Sequence, residues 1–361
     1  MTDLVELLEK FSGIACPPTG EKVMHTAIAW ELQGAVDELF ADSMGNLIAT
    51  VRGPAEGPVL MIEAHIDEVA LMVSSIESTG VLRFEKLGWI DDRSLPARLV
   101  DVHTARGVLP GVLGMSGSED RSLAVPYTRL YVDVGAGSAA EARELGVRVG
   151  DTITLKGSFL RLPGGLVSCR AVDDRVGVAV IVSALQQLQG RRDYTLVATF
   201  ATQHEVGLRG PAVAAYRVDP DACLVIDVTG NSADVAQQAV RMGGGPVFRV
   251  MEEYGTNVAF GAQKGLFAHP ELQRFVMDVA DKASIPYQVQ VRRGSIGDGV
   301  AVHLAREGVP TASMLIPVRY SHTAQEVCHP DDLTMTRDLL MQVLGATTGE
   351  WIRSLAGKRL I

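Results

Sequence analysis

The amino-acid sequence predicts an α/β protein: a mostly parallel sheet flanked by helices, interrupted by a small β-rich insert. Three observations carry this prediction. Apolar runs of strand length alternate with segments of helical periodicity, the texture of a sheet buried on both faces. Four of those runs, residues 59–62, 194–200, 223–226 and 314–318, lead into His65, His204-Glu205, Asp227 and His322. In open α/β sheets, reactive side chains gather at the carboxyl ends of strands, where loops converge on a ligand. Between residues 68 and 161 the pattern changes to short alternating segments divided by frequent glycines.

Leu4, Leu7, Leu8 and Phe11 recur at helical spacing and predict a docked amphipathic helix. Pro17, Pro18 and Gly20 make residues 12–21 a link, and a helix over 22–33 follows. Strands over 36–40 and 46–51 flank the turn Asp42-Ser-Met-Gly45, and the strand leading to His65 then enters the sheet. In the insert, Val81-Leu-Arg-Phe-Glu and Asp151-Thr-Ile-Thr-Leu read as strands, while Ser138-Ala-Ala-Glu141 opens a helix with a capping-box pattern. The α/β texture resumes at Leu166. Asp173-Asp174-Arg175 precedes a helix that lines up Val178, Ile181, Leu185 and Leu188 on one face. Strands over 194–200, 223–227, 247–251, 286–292 and 312–318 interleave with helices over 270–283 and 298–307, and a long helix starts near Pro330. This divides the chain into a discontinuous α/β catalytic domain, 1–67 and 166–361, and a β-rich domain, 68–165.

The 361 residues leave room for two cores, and a 47% hydrophobic, 21% charged composition is that of a soluble globular protein. No apolar run approaches the roughly 18 residues of a membrane span. The acidic N-terminal stretch lacks the pattern of a signal peptide, so a cytoplasmic location is expected. A formal net charge of −10 argues against nucleic acid or an anionic membrane as partner. Cys16, Cys169, Cys223 and Cys328 are scattered, which predicts reduced thiols and no Cys-rich zinc site. Any metal must be held by His and carboxylates.

His65, His204 and His322, taken with Asp173, Glu205 and Asp227, form such a donor set. Singly each has a plainer role: a strand-end His as a hydrogen-bonded structural residue, Asp173-Asp174 as a helix N-cap pair. Asp67 either accepts the second imidazole N–H of His65, raising its basicity, or caps a turn. Asp227 ends an apolar run, where an unpaired charge is costly and calls for a cation. Three carboxylates and a shared hydroxide would balance two divalent ions; His and carboxylate donors suit Zn²⁺, with Co²⁺ or Mn²⁺ as alternatives. Asp298, Arg319 and Glu326 stand near the expected pocket as substrate contacts or as loop salt bridges. Gly243-Gly-Gly-Pro246 is not followed by Lys-Ser/Thr, which excludes a phosphate loop.

The sequence resembles the tetrahedral (deblocking, glutamyl) aminopeptidases, di-metal exopeptidases of the cytoplasm, almost end to end. The resemblance is carried by Asp42-Ser-Met-Gly-Asn-Leu, Ala64-His65-Ile-Asp67-Glu68, Val132-Asp-Val-Gly-Ala, Val172-Asp173-Asp174-Arg175-Val-Gly177, Glu205-Val-Gly-Leu-Arg-Gly210, Ile226-Asp227-Val-Thr, Gly297-Asp298 and Arg319-Tyr-Ser-His322. It implies a di-zinc exopeptidase-like fold. It also implies that Asp173 bridges two metals, that His65 and Asp227 complete one shell and Glu205 and His322 the other, and that Asp67 supports His65. It implies peptide substrates, hydrolysed from the N-terminus by a di-metal-bound hydroxide. It further implies that the insert builds homo-oligomers, from a dimer to a tetrahedral dodecamer.

One departure from the family pattern concerns position 204. A Glu is usual there, as the general base; here it is His204. An imidazole near its ordinary pKa of about 6.5 also serves as a base, but two nearby dications oppose its protonated form. His204 therefore reads as a working base, as the remnant of a weakened activity, or as a further ligand. The same donors would also suit a deacylase or amidohydrolase of N-acyl amino acids, and a weakened base would leave an assembly or binding protein.

Overall fold

The computed structural model describes residues 3–115, 124–230, 240–253 and 265–355. At its centre four strands run parallel, in the order Thr195–Ala201, Val59–His65, Ala222–Gly230 and Thr311–Arg319. Leu47–Val51 and Glu38–Ala41 extend this group antiparallel on one side; Glu326–Cys328, Val167–Cys169 and Leu160–Arg161 extend it antiparallel on the other. A branch made of Val247–Glu253, Gly265–Phe267 and Gln288–Arg293 leaves Thr311–Arg319. The expected parallel character thus belongs to the core of a mixed sheet. In the branch, Val247–Glu253 and Gln288–Arg293 form a further parallel pair, and the central strands are joined by long helical crossovers.

Alternation along the central strands serves two layers. Leu60, Ile62, Leu224 and Ile226 face the main core, while Met61, Cys223 and Val225 face a smaller one that includes Ala215 and Val302. Helix Val172–Gln187 packs on the first face, between strands Val59–His65 and Ala222–Gly230 and helices Leu4–Ser12 and Pro330–Ala346. Every residue from Val172 to Leu185 is buried. The single apolar stripe expected for this helix is therefore a helix apolar all round, because protein covers both its sides. Helix Arg209–Val218 and the one-turn helix Gly299–Val302 cover the second face, the latter much shorter than the 298–307 expected. No described helix is long and apolar enough to cross a membrane.

Six strands drawn from residues 70–155 close into a barrel in the order Ala70–Ile76, Leu82–Leu87, Leu130–Asp133, Gly107–Met115, Leu99–Thr104 and Thr152–Leu155. The barrel has its own core, which includes Leu71, Val73, Phe84, Val100, Val102, Leu113, Val132 and Ile153. Ser138 caps helix Ala139–Glu144 by accepting from the Glu141 amide, and Glu141 accepts in return from the Gly137 amide.

Buried ions tie the sheet to the point where the chain enters and leaves the barrel. Both Glu68 oxygens lie 2.7 Å from Arg170 Nη1, and Glu68 also accepts from the Cys16 amide. Arg175, fully buried, donates to the carbonyls of Phe11 and Ile66 and lies 3.6 Å from Glu68. Three segments far apart in sequence thus meet on one guanidinium. Arg175→Met strands the carbonyls and part of the Glu68 charge, so it is expected to destabilise the fold by about 3–5 kcal/mol. Urea unfolding measures this; an unchanged midpoint would show that Arg170 alone holds the junction.

Candidate metal centre

The loop after strand Thr195–Ala201 carries His204 and Glu205, and three polar side chains fix its path. Asp67 accepts from both amides, His204 N at 2.9 Å and Glu205 N at 3.0 Å. Asn46 accepts from the Thr202 amide and donates to the Gly210 carbonyl, while Asp42 holds Asn46 in place. Gly210 allows this approach: a Cβ there would fall 2.1 Å from the Thr202 carbonyl oxygen. Glu326 performs the same service elsewhere, accepting from the amides of Asp173 and His322 at 2.8 Å each.

All five expected ligands meet. His65 Nε2 lies 3.1 Å from one Asp173 oxygen and His322 Nε2 3.2 Å from the other, with Glu205 Oε1 3.6 Å from His322. Donor atoms of His65, Asp173 and Glu205 lie within 4.8 Å of one another, as do those of His65, Asp174 and Asp227. Asp174, read from the sequence only as a possible capping companion of Asp173, therefore stands with Asp227. Glu205 Oε1 and Asp174 Oδ2 are buried without a hydrogen-bond partner among the described residues. Orphaned carboxylate oxygens beside imidazole nitrogens are the donor set that divalent Zn, Co or Mn prefers, so these residues fit the metals expected from the sequence.

Several expected roles differ in detail. His65 Nδ1 hydrogen-bonds the main-chain oxygen of Asp67 at 3.1 Å; the Asp67 carboxylate is 3.6 Å away, turned to the loop amides. None of the three expected substrate contacts lines the cavity over the site. Asp298 is fully buried with Oδ1 2.6 Å from His204 Nδ1, both Glu326 oxygens hold backbone amides, and Arg319 ends a sheet strand opposite Val327. That cavity, of about 590 Å³, is lined by Asp173, His204, Asp227 and His322, by Arg249 and Arg292, and by Trp89, Asp91 and Arg93 from the barrel side. Arg249 is buried, paired with Glu252 at 2.8 Å, and leaves Nη2 without a partner among the described residues. Arg292 Nη1 donates to the Gly230 carbonyl and forms no ion pair among the described residues. The His204 ring stacks on His65, with centroids 3.8 Å apart and planes 12° from parallel.

Crowded charge sets the titration of the site. Burial opposes ionisation of Asp173, but hydrogen bonds from His322 and His65 prevail and hold it well below the usual carboxylate range. Burial also opposes charging of His322; Glu205 and Asp173 overcome it and carry the imidazole up to about 10. Burial raises Asp227 to about 6 and pushes Asp174 well above its ordinary value. Burial opposes charging of His204 too, yet Asp298 helps to lift it to about 9.

The family model for the M42 glutamyl aminopeptidases matches residues 45–339. The lysyl aminopeptidase of Pyrococcus furiosus is 32% identical over 322 residues, covering 87% of this chain and 88% of that one. An aminopeptidase structure from the archaeon Desulfurococcus kamchatkensis superposes with a TM-score of 0.92 at 32% identity, over 99% of both chains. The Pyrococcus horikoshii TET1 peptidase, described as able to assemble into a tetrahedron or a large octahedral shell, gives a TM-score of 0.83 at 31% identity, over 94% of this chain and 99% of that one.

The charges predict how metal and protons compete. With its pKa near 10, metal-free His322 is protonated at pH 7, and an imidazole must be neutral to ligate. Zn²⁺ binding at pH 7 should therefore release protons, so the binding heat should vary with the ionisation enthalpy of the buffer. Affinity should fall further as pH drops through about 6, where Asp227 takes up a proton. Heat independent of buffer would mean that His322 is not a ligand.

Proposed function

The chain belongs to the M42 glutamyl aminopeptidase family, whose members depend on metal, and from that premise we propose how its site removes N-terminal residues from peptides. His65 and Asp227 would hold one divalent ion, Glu205 and His322 the other, with Asp173 between them and Asp174 beside Asp227. The contacts of Asp173 with both histidines support its bridging role. The observation that carries this reading is the meeting, on one cavity, of ligands drawn from strand ends more than 250 residues apart in sequence, with carboxylate oxygens left over. Bound ions supply Lewis acidity that polarises a peptide carbonyl and acidifies a water.

The rest of the chemistry belongs to side chains. Asp298 occupies His204 Nδ1, leaving Nε2 for substrate. We assign to that nitrogen the removal of a proton from the attacking water and its return to the leaving amine. Arg292, which forms no ion pair among the described residues, gives the cavity a cationic group once the metals balance their ligands, while the charge of Arg249 is balanced by Glu252. This favours an acidic N-terminal side chain over the lysyl preference named for the Pyrococcus furiosus relative. Leu99, Val108, Val112 and Met115 expose apolar surface on two barrel strands, which supports the barrel as the face that joins copies of the chain into a homo-oligomer.

Four measurements test these assignments. With Zn²⁺ or Co²⁺, aminoacyl-anilides bearing a free amine should turn over and N-acyl amino acids should not; the reverse would make the enzyme a deacylase. His204→Ala should lower kcat by at least ~10²-fold. Arg292→Ala should cost a glutamyl-anilide roughly tenfold in kcat/KM, the worth of one charged hydrogen bond, and leave a leucyl-anilide nearly unchanged. For the assembly, light scattering should read a smaller particle for Val108→Asp with Val112→Asp; an unchanged mass would move the interface elsewhere.

A further inference from the structure

Asp298 stands directly before the short helix Gly299–Val302, where an Asp ordinarily caps the helix amides, yet its side chain makes no capping bond. Instead Oδ1 lies 2.6 Å from His204 Nδ1, while Oδ2 has no hydrogen-bond partner among the described residues and the Glu63 carboxyl is close enough to act on the Asp298 charge. Glu63 lies on strand Val59–His65, fully buried like Asp298, and neither of its oxygens meets any donor elsewhere among the described residues. A buried line of side chains therefore runs from the sheet interior through Glu63 and Asp298 to His204, and only its last member reaches the cavity. A carboxylate without a capping role, aimed at one nitrogen of an imidazole, selects the tautomer and fixes the ring plane. Stacking on His65 allows the ring to slide or spin in that plane; the bond to Asp298 removes this freedom.

We propose that Asp298 is the positioning residue of His204: it holds hydrogen on Nδ1, so that Nε2 presents its lone pair to the water that attacks, and Glu63 braces Asp298 from behind. This rests on His204 being the base. It also gives the His at position 204 what a Glu there would not need, an outside partner that decides which of two nitrogens is basic.

Asp298→Asn keeps size and polarity but offers an amide that can equally hold the wrong tautomer. It should lower kcat by about 10²-fold or more with KM within twofold and with thermal midpoint and Zn²⁺ content unchanged. Added to His204→Ala it should cause no further loss. In metal-free, ¹⁵N-histidine-labelled protein, held at a pH above the ring's pKa of about 9 so that the imidazole is neutral, the His204 ring signals, identified by their absence in His204→Ala, should report hydrogen on Nδ1 in the parent and a shift toward Nε2 in Asp298→Asn. Near-parental kcat in Asp298→Asn, an equal further loss on top of His204→Ala, or unchanged ring signals would overturn the proposal. Parental activity in His204→Ala would instead remove the base assignment itself. Should Asp298→Asn not fold, the comparison moves to His204→Glu. There Asp298 has no imidazole to orient and repels the new carboxylate, so adding Asp298→Asn should preserve or raise kcat. A loss of activity, or of folding, in that pair would assign Asp298 to the fold alone.

Discussion

Six carboxylates (Glu63, Asp173, Asp174, Glu205, Asp227 and Asp298) lie within one buried neighbourhood beside the imidazoles of His65, His204 and His322. Each ion taken from water costs several kcal/mol even after the protein relaxes, and like charges in a low dielectric repel strongly. Such a cluster is stable only if it gains protons or gains cations. The structure shows the first solution in its displaced pKa values, and the orphaned oxygens point to the second. Most of what surrounds the cluster, from the central strands to the loop clamps, keeps these groups together against their mutual repulsion.

The means are economical. Asp67, Asn46 and Glu326 do not face the cavity; each grips backbone amides and so sets the path of a loop whose side chains do. That division of labour explains why acidic residues crowd the motifs in larger number than any pair of metals could use. It also explains Glu68 and Arg175, which adjoin site residues in sequence yet turn away from the site and join the barrel, the first helix and the sheet.

The strand ends were legible in the sequence because an apolar run stopped by His or Asp is a strong local signal, and the barrel because its alternation and glycines break the α/β rhythm. Less was legible where the decisive neighbour is distant in sequence. Asp174 looked like half of an N-cap pair, and its place beside Asp227 emerges only when the helix start docks against another strand. Glu63 was hidden in an apolar run, since no local pattern tells a buried carboxyl that meets Asp298 from a strand residue facing water. Arg249 and Arg292 sit on the branch strands, whose position beside the cavity depends on sheet topology. The mixed edges of the sheet escaped for the same reason: strand direction is set by how the chain returns, not by the strand itself.

The grip of Asp67 on the amides of residues 204 and 205 has a chemical corollary. Because Asp67 seats the backbone independently of the side chain it displays, a change of side chain at position 204 leaves the neighbouring Glu205 in place. The acid–base group can thus change at this one position while the ion-holding framework stays in place.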